Sequence, residues 1–417
     1  MSTTPPDYDV AIIGAGAAGV GAARRLAGTG LTVVVLEASA RVGGRAWTVD
    51  IAGMHIDLGC GWLHSADRNS WTAIAEQLGF AVDRRKPAWR TQYRDLGFTP
   101  EEQAAASKAF ADWSERLVTQ PSPTDCAADA LPPDEEWRAY LQAMSGFISG
   151  AALEQISVAD YLAYDQATTG NNWRLPDGYG ALVSHSLPSS VDLRLSMPVT
   201  GIEPTPGGVR ISTRRGTLSA RSAIVTASTA VLTGGGIDLS RDLESWTTAA
   251  SLLPLGSDEK VYLEIVGDDA PFAPESHVLG DPRDENTGVY YIRPLGLPVI
   301  ECFLGDGGAR VVAEQGQDVA FARAIDQLVA LFGSDIRRHL RPLVASNWQR
   351  MPHIGGAYSH ALPGHAAARR DLARPFDGCI YFAGEATNPT DFSTAHGAHD
   401  SGARAADEVV AALVKGT

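Results

Sequence analysis

From Asp9 to Ile13 the chain reads Asp-Val-Ala-Ile-Ile and stops at glycine, the pattern of a short strand buried on both faces of a parallel sheet. Gly14-Ala15-Gly16-Ala17-Ala18-Gly19 follows at once. The alanine-rich stretch Val20 to Ala27 then predicts a helix, stopped by Gly28 to Gly30, and Leu31 to Leu36 is a second apolar run ending at Glu37. Together they predict a βαβ unit after a polar leader, Met1 to Pro6. From Pro100 to Leu162 the pattern is that of amphipathic helices interrupted by Pro121, Pro123, Pro132 and Pro133. In Lys260-Val261-Tyr262-Leu263-Glu264-Ile265 the period is two. Val261, Leu263 and Ile265 face a core, while Lys260, Tyr262 and Glu264 share the other face, where Lys260 reads as solvated. Val289 to Leu304 is also β-forming. Gln317 to Phe332 predicts a helix that packs on that sheet through Val319, Phe321, Ile325, Leu328, Val329 and Phe332. Near the end, Cys379 to Ala383 reads as a short buried strand leading through Gly384 to a helix from about Ala395 to Val414. No internal repeat is visible.

The first unit carries chemistry. Gly14 permits a tight turn, Gly16 lets backbone approach a pyrophosphate and Gly19 lets helix and strand pack closely, while the helix N-terminus around Ala18 offers free N–H groups to phosphate. Glu37 is placed to accept hydrogen bonds from adenosine ribose hydroxyls, and its charge repels a 2′-phosphate, which disfavours NADP. The fingerprint alone leaves NAD and FAD open. The continuation Glu37-Ala38-Ser39-Ala40-Arg41-Val42-Gly43-Gly44-Arg45 separates them. A glycine pair followed by arginine makes a second anion cradle that a nicotinamide enzyme does not need.

Composition narrows the class. A chain of 417 residues exceeds what one core usually supports, so two domains are expected, and 44% hydrophobic with 20% charged residues predicts folding throughout apart from the ends. The net charge of −15 is spread along the chain without a Lys/Arg cluster, so neither nucleic acid nor a membrane surface is an expected partner. That charge would draw a cationic substrate, but solubility is the preferred reading of it. Cys60, Cys126, Cys302 and Cys379 never form C-x-x-C, and with no signal-peptide pattern the expected location is the cytoplasm. His353, His360, His365, His396 and His399 cluster late in the chain without completing a metal set, so no metal is assigned.

Six stretches in order resemble the flavin-containing amine oxidase family, which includes monoamine, polyamine and nicotine-type oxidases. The first is the N-terminal unit. The others are Asp57-Leu58-Gly59-Cys60-Gly61-Trp62-Leu63-His64, the segment around Val199, Ser257-Asp258-Glu259-Lys260-Val261, Asn347-Trp348 with Gly355-Gly356-Ala357-Tyr358-Ser359, and Ala383-Gly384-Glu385-Ala386-Thr387 with the helix beginning near Thr394 and Ala395. The resemblance implies an α/β (α+β) fold: a discontinuous Rossmann-type FAD-binding domain (1–85, 190–240, 345–417) with an inserted substrate domain of sheet plus helices (86–189, 241–344). It implies that Gly59 to Trp62 contact the flavin, that the Val199 backbone holds adenine, that Glu385 holds the ribityl region and that the last helix points its N-terminus at the cofactor. FAD is expected to be non-covalent, because the position of the family's attachment cysteine is Ala357.

The same resemblance assigns Lys260 to a water beside flavin N5, where its charge assists reoxidation by O2, and it places Trp348 and Tyr358 in an apolar slot over the ring. The second tyrosine of the monoamine branch aligns with Thr394, which leaves Phe392 as the candidate for its place. His64 aligns with an active-site histidine of some polyamine oxidases. It reads as a binder of a distal amine, a proton relay or a structural residue. The expected reaction is hydride transfer from the carbon beside a substrate nitrogen, giving imine and then aldehyde or ketone, with O2 reduced to H2O2. The rivals are a dehydrogenase with another acceptor, a desaturase, and a non-catalytic FAD-binding protein; either a monomer or a homodimer is compatible.

Overall fold

The computed structural model describes residues 5–89, 91–120, 122–267 and 269–415; the first four residues of the leader and Pro121 lie outside them. The N-terminal unit forms as the pattern predicts. Strand Tyr8–Ile13 leads into helix Ala17–Leu26, which starts three residues before the predicted Val20, and then into strand Val33–Leu36. Tyr8–Ile13 pairs in parallel with Val33–Leu36 on one side (Ile12 opposite Val35) and with Gly216–Val225 on the other (Ile12 opposite Ile224). Val10, Ala11 and Ile12 are wholly buried, the expected consequence of a central parallel strand covered on both faces. The sheet runs Asp192–Arg194, Val33–Leu36, Tyr8–Ile13, Gly216–Val225, Gly208–Thr213, Val199–Thr205, Asp238–Leu239, and Ile380–Phe382 joins it alongside Gly216–Val225.

The C-terminal helix Ala395–Lys415 crosses the first helix at close range. Glycine makes this crossing possible: a Cβ on Gly402 would lie 1.9 Å from the Ala18 carbonyl, and one on Gly21 would lie 2.3 Å from that of His399. The termini of the described chain are thereby locked together, and the N-termini of both helices come to one side of the sheet.

A second, antiparallel sheet runs Ser276–Leu279, Gly288–Ile292, Val299–Gly305, Asp258–Ile265, Leu340–Ala345. Helix Gln317–Phe332 packs on it through Ala320, Phe321, Ala324, Ile325 and Leu328, against Val261, Leu263 and Ile265. Its buried stripe is narrower than the sequence suggests, since Val319 is 41% exposed. The other face of Asp258–Ile265 differs more. Lys260 is not solvated but 6% exposed, because the turn after strand Met54–Asp57 and the loop carrying Trp348 close over that face, where Tyr262 packs with Ile56, Leu58 and Trp348. Helices Pro100–Thr119, Arg138–Ser149 and Val158–Ala167 complete this half. The first begins with a Thr99/Glu102 capping box and proline at its first turn.

The chain is a mixed α/β protein. All four cysteines are free thiols. Among the described residues no helix is long and apolar enough to cross a membrane, and no group of His, Cys, Asp and Glu is arranged to hold a metal ion.

Candidate active site

One cavity of about 1470 Å3 runs between the two sheets. A pocket for one drug-sized ligand holds roughly 300–1,000 Å3, so this space suits a dinucleotide and a substrate together. Gly14, Gly16, Ala18, Glu37, Ala38 and Val199 line one end; Gly44, Arg45, Gly384, Glu385, Thr394 and Ala395 line the middle; Gly59, Cys60, Gly61, Trp62, His64, Lys260, Trp348 and Tyr358 line the other. Gly19 stands apart from the lining. A Cβ there would sit 2.0 Å from the Gly14 carbonyl, so its task is strand–helix packing.

The residues at the first end fit a dinucleotide. No side chain caps helix Ala17–Leu26, so its first N–H groups remain free for phosphate. The glycine pair presses against this terminus: the Gly43 N–H donates to the Ala15 carbonyl (2.8 Å), and Gly44, at φ +57°, approaches Gly16 so closely that a Cβ would lie 3.2 Å from its Cα. Glu37 accepts from the N–H groups of Ala15 (2.7 Å) and Ser39 (2.8 Å) and from the Ser39 hydroxyl (2.7 Å). A carboxylate has about four acceptor sites, which leaves one for a ribose hydroxyl.

Glu385 differs from expectation. It accepts from Arg45 Nη1 (2.9 Å), the Ser359 N–H (3.2 Å) and hydroxyl (2.7 Å), and the Ser393 N–H (3.0 Å), so its acceptor capacity is filled by protein. Burial works to raise its pKa, but the Arg45 and Arg369 guanidiniums and these donors hold it below the ordinary value. It braces Arg45, whose Nη1 also donates to the Ala357 carbonyl, rather than reaching out itself.

At the far end Lys260 Nζ lies 2.9 Å from Glu301 Oε1 and donates to the Asp57 carbonyl at 3.2 Å. Gly61 makes room for it, since a Cβ there would lie 3.1 Å from Nζ. The Trp348 indole donates to the Leu58 carbonyl (3.2 Å), and the Tyr358 hydroxyl donates to that of Phe147 (2.8 Å). Both rings are thus fixed.

His64 Nδ1 lies 2.8 Å from Asn172 Oδ1. The Asn172 amide nitrogen faces the Gly170 carbonyl at 3.4 Å, which orients the oxygen toward the imidazole, so Nδ1 carries the proton and Nε2 is an acceptor. Burial lowers the His64 pKa to about 4, so the ring is neutral near pH 7. Phe392 does not line the cavity. It lies beneath the Arg369 guanidinium (3.6 Å to the ring centroid) and against Tyr164 (5.4 Å), and Tyr164 is the ring that reaches the cavity wall.

Sequence reasoning passed over Asp258 and Glu301, which also line the cavity. Asp258 shares the Lys260 face of its strand at a spacing of two, a signal that was readable. Glu301 comes from the neighbouring strand, opposite Tyr262, and only pairing register reveals it. Asp258 is 4% exposed and neither carboxylate oxygen has a hydrogen-bond partner; burial raises its pKa well above the ordinary value.

The model of the family described as flavin containing amine oxidoreductase matches residues 17–97 and 83–410. The chain belongs to that family. It is a flavin-dependent amine oxidoreductase. Polyamine oxidase 4 of Oryza sativa subsp. japonica is 28% identical over 97% of this chain and 88% of its own. Human lysine-specific histone demethylase 2 is 26% identical over 98% of this chain and 54% of its own. Pseudooxynicotine dehydrogenase of a Pseudomonas species is 27% identical over 64% of this chain and 61% of its own. A redesigned putrescine oxidase superposes with a TM-score of 0.71 at 18% identity, covering 97% of this chain and 99% of that one, which shows a shared fold.

Proposed function

We propose that the enzyme binds FAD non-covalently, through a domain made of 1–85, 190–240 and 345–417, and oxidises an amine with O2 as acceptor. The observation that carries this reading is the continuity of one cavity from the uncapped helix N-terminus and Glu37 to the wall of Lys260, Trp348 and Tyr358. Bound FAD supplies the two-electron acceptor. The substrate amine gives up a hydride from the carbon beside nitrogen and a proton from the nitrogen itself, and the carbon–nitrogen single bond becomes the double bond of an imine. O2 takes two electrons and two protons to become H2O2, and water then splits the imine into carbonyl and amine. The chain's part is orientation and charge. Trp348 and Tyr358 hold the reacting end in an apolar slot that favours the neutral amine, and His64 Nε2 accepts a hydrogen bond from its nitrogen. Non-covalent binding is supported by the absence of a thiol at Ala357. Burial pushes the Cys60 thiol up to about 12, so it stays protonated and unreactive.

One observation favours a second reading, transfer to an acceptor other than O2. Glu301 neutralises the Lys260 ammonium that would otherwise assist O2. Anaerobic mixing of the yellow protein with a panel of mono-, di- and polyamines tests the first step, and bleaching of the flavin by none of them refutes amine oxidation. Re-admission of air then separates the two readings: peroxide equal to amine consumed supports the oxidase, whereas recovery only with a dye or quinone supports the dehydrogenase.

A further inference from the structure

The chamber beyond Lys260 identifies a substrate class. Its walls are aromatic: Trp62 meets Trp89 edge to face at 4.7 Å and Tyr291 at 5.9 Å, and Phe147 and Phe303 face each other at 6.0 Å. Trp89 keeps 38% of its surface exposed, so the lining reaches the outside as an apolar rim.

A di- or polyamine needs a carboxylate for its second ammonium, because a buried charge without a partner is strongly disfavoured. Among the described residues each carboxylate lining the cavity is matched by a cation, sits at the dinucleotide end, is held neutral by burial or lies exposed at the rim. Glu301 holds Lys260. Glu37 and Glu385 are held by backbone, hydroxyl and guanidinium donors. Asp258 lines the cavity, but both its carboxylate oxygens are buried and burial favours its neutral form. Asp165 is exposed at the rim, where water screens an ion pair to near nothing. Other charges near the walls do not help. The Arg174 guanidinium lies 5.1 Å from the ring centroids of both Trp62 and Tyr291 and is paired with Asp83 (3.0 Å) and Glu275 (2.8 Å), so the carboxylates behind the aromatic wall are already matched by a cation. His64 and His277 are neutral near pH 7, burial having lowered both to about 4.

We infer that the substrate is an amine with a single basic nitrogen on an aromatic or otherwise apolar body, not a diamine or polyamine. This rests on the amine-oxidation reading above. In the intact yellow protein, kcat/KM for 2-phenylethylamine and 4-phenylbutylamine is expected to exceed that for 1,4-diaminobutane and spermidine by on the order of 100-fold or more, the scale of one unpaired buried charge. Dissociation constants from anaerobic perturbation of the flavin spectrum rank the same compounds without turnover. If no amine is oxidised but the aromatic amines bind more tightly, the reaction reading fails and the cavity reading survives. Phe303→Glu adds a free carboxylate to the half-buried aromatic wall, away from bulk water, and is expected to raise kcat/KM for 1,4-diaminobutane about tenfold, whereas Asp165→Asn at the exposed rim changes it less than about twofold. Equal ranking of the two classes, preference for the diamines in the wild-type protein, or absence of any aromatic preference in both measurements overturns the inference.

Discussion

Lys260→Met keeps a long apolar stem and removes an ammonium that is held by Glu301 and the Asp57 carbonyl, so two effects follow and must be read separately. The first is structural. The Lys260 side chain is 8% exposed and that of Glu301 18%, and removing one member of such a buried pair costs about 3–5 kcal/mol, less whatever Glu301 recovers by taking up a proton. The second is kinetic. A cation about 4 Å from a developing anion contributes about 4 kcal/mol at an effective dielectric of about 20. Glu301 lies 2.9 Å from Lys260 Nζ, and taken as directed away from the anion it becomes a carboxylate at about 7 Å that returns about 2.4 kcal/mol of repulsion. The net, about 1.6 kcal/mol, corresponds to roughly 15-fold in the oxygen half-reaction.

Stopped-flow measurement of the two half-reactions reads this directly: Lys260→Met slows the oxygen step roughly 15-fold and the amine step much less. Glu301→Gln removes only the opposing charge and accelerates the oxygen step. An oxygen step unchanged in Lys260→Met, or slowed in Glu301→Gln, refutes the electrostatic argument and favours a non-O2 acceptor. Thermal denaturation of the same variants reports the structural cost independently.

Acid precipitation is expected to leave a colourless pellet and a yellow supernatant; colour retained by denatured protein would show a covalent flavin. Arg369→Met removes the partner of Asp160, with both side chains at most 3% exposed and bonds of 2.6 and 2.8 Å between them, and should lower stability by about 3–5 kcal/mol in urea denaturation. Burial lowers His64, His277 and His360 to about 4, so each favours the folded state fully above about pH 6.5 and loses that contribution as pH falls from 6.5 toward 4. Glu259, raised by burial to about 7, acts in the opposite direction, its penalty growing as pH rises from about 4.5 to 7. A melting temperature that rises on acidification from about pH 6.5 to about 5 would show that the three histidines do not dominate.

The N-terminal unit was legible because each level of the sequence agreed: apolar runs, glycines and the acid at the strand end all call for one local structure. Most of the cavity's first end could be read for the same reason, since Gly14 to Ala38 lie within one short stretch, whereas Val199 joins it from far along the chain. Lys260 was harder. Its strand alternates as a half-exposed strand should, and the cover over its polar face comes from Ile56, Leu58 and Trp348, far away in sequence. The Lys260–Glu301 pair depends on strand register, and the commitment of Glu385 to Ser359, Ser393 and Arg45 depends on three loops meeting. Those are tertiary facts with no local signature. Phe392 shows the opposite error, in which an aromatic at the right place in sequence turns its ring toward Arg369 instead of the cavity.

Asp258, Glu259 and Lys260 are consecutive ionisable residues, 4%, 1% and 6% exposed, and the manner in which each is satisfied separates structure from chemistry. Glu259 is held by the Ser346 hydroxyl (2.5 Å) and the Trp348 N–H (2.6 Å), a bracket that fixes the Trp348 loop. Lys260 has its counter-ion. Asp258 has no partner, and it lies against Gly150, just past the C-terminus of helix Arg138–Ser149, where the helix dipole adds to the cost of an anion. The neighbouring Tyr358 hydroxyl, whose proton is directed to the Phe147 carbonyl, favours the charged form less than burial opposes it. A carboxyl so placed holds its proton in the folded protein. Its folded pKa therefore lies above the unfolded value, and its contribution to stability is present at low pH and lost as pH rises. Asp258→Asn keeps the shape, cannot ionise and brings an amide nitrogen that can donate to the Tyr358 oxygen. Its expected effect is a gain in stability at about pH 8, the advantage over wild type growing by at most about 1.4 kcal/mol per pH unit above the unfolded pKa and shrinking toward about pH 5. Differential scanning calorimetry across that range checks the sign. A variant that melts lower than wild type at the alkaline end would mean that Asp258 is ionised and paired in solution, and the account of the Tyr358 wall would have to be rebuilt around that charge.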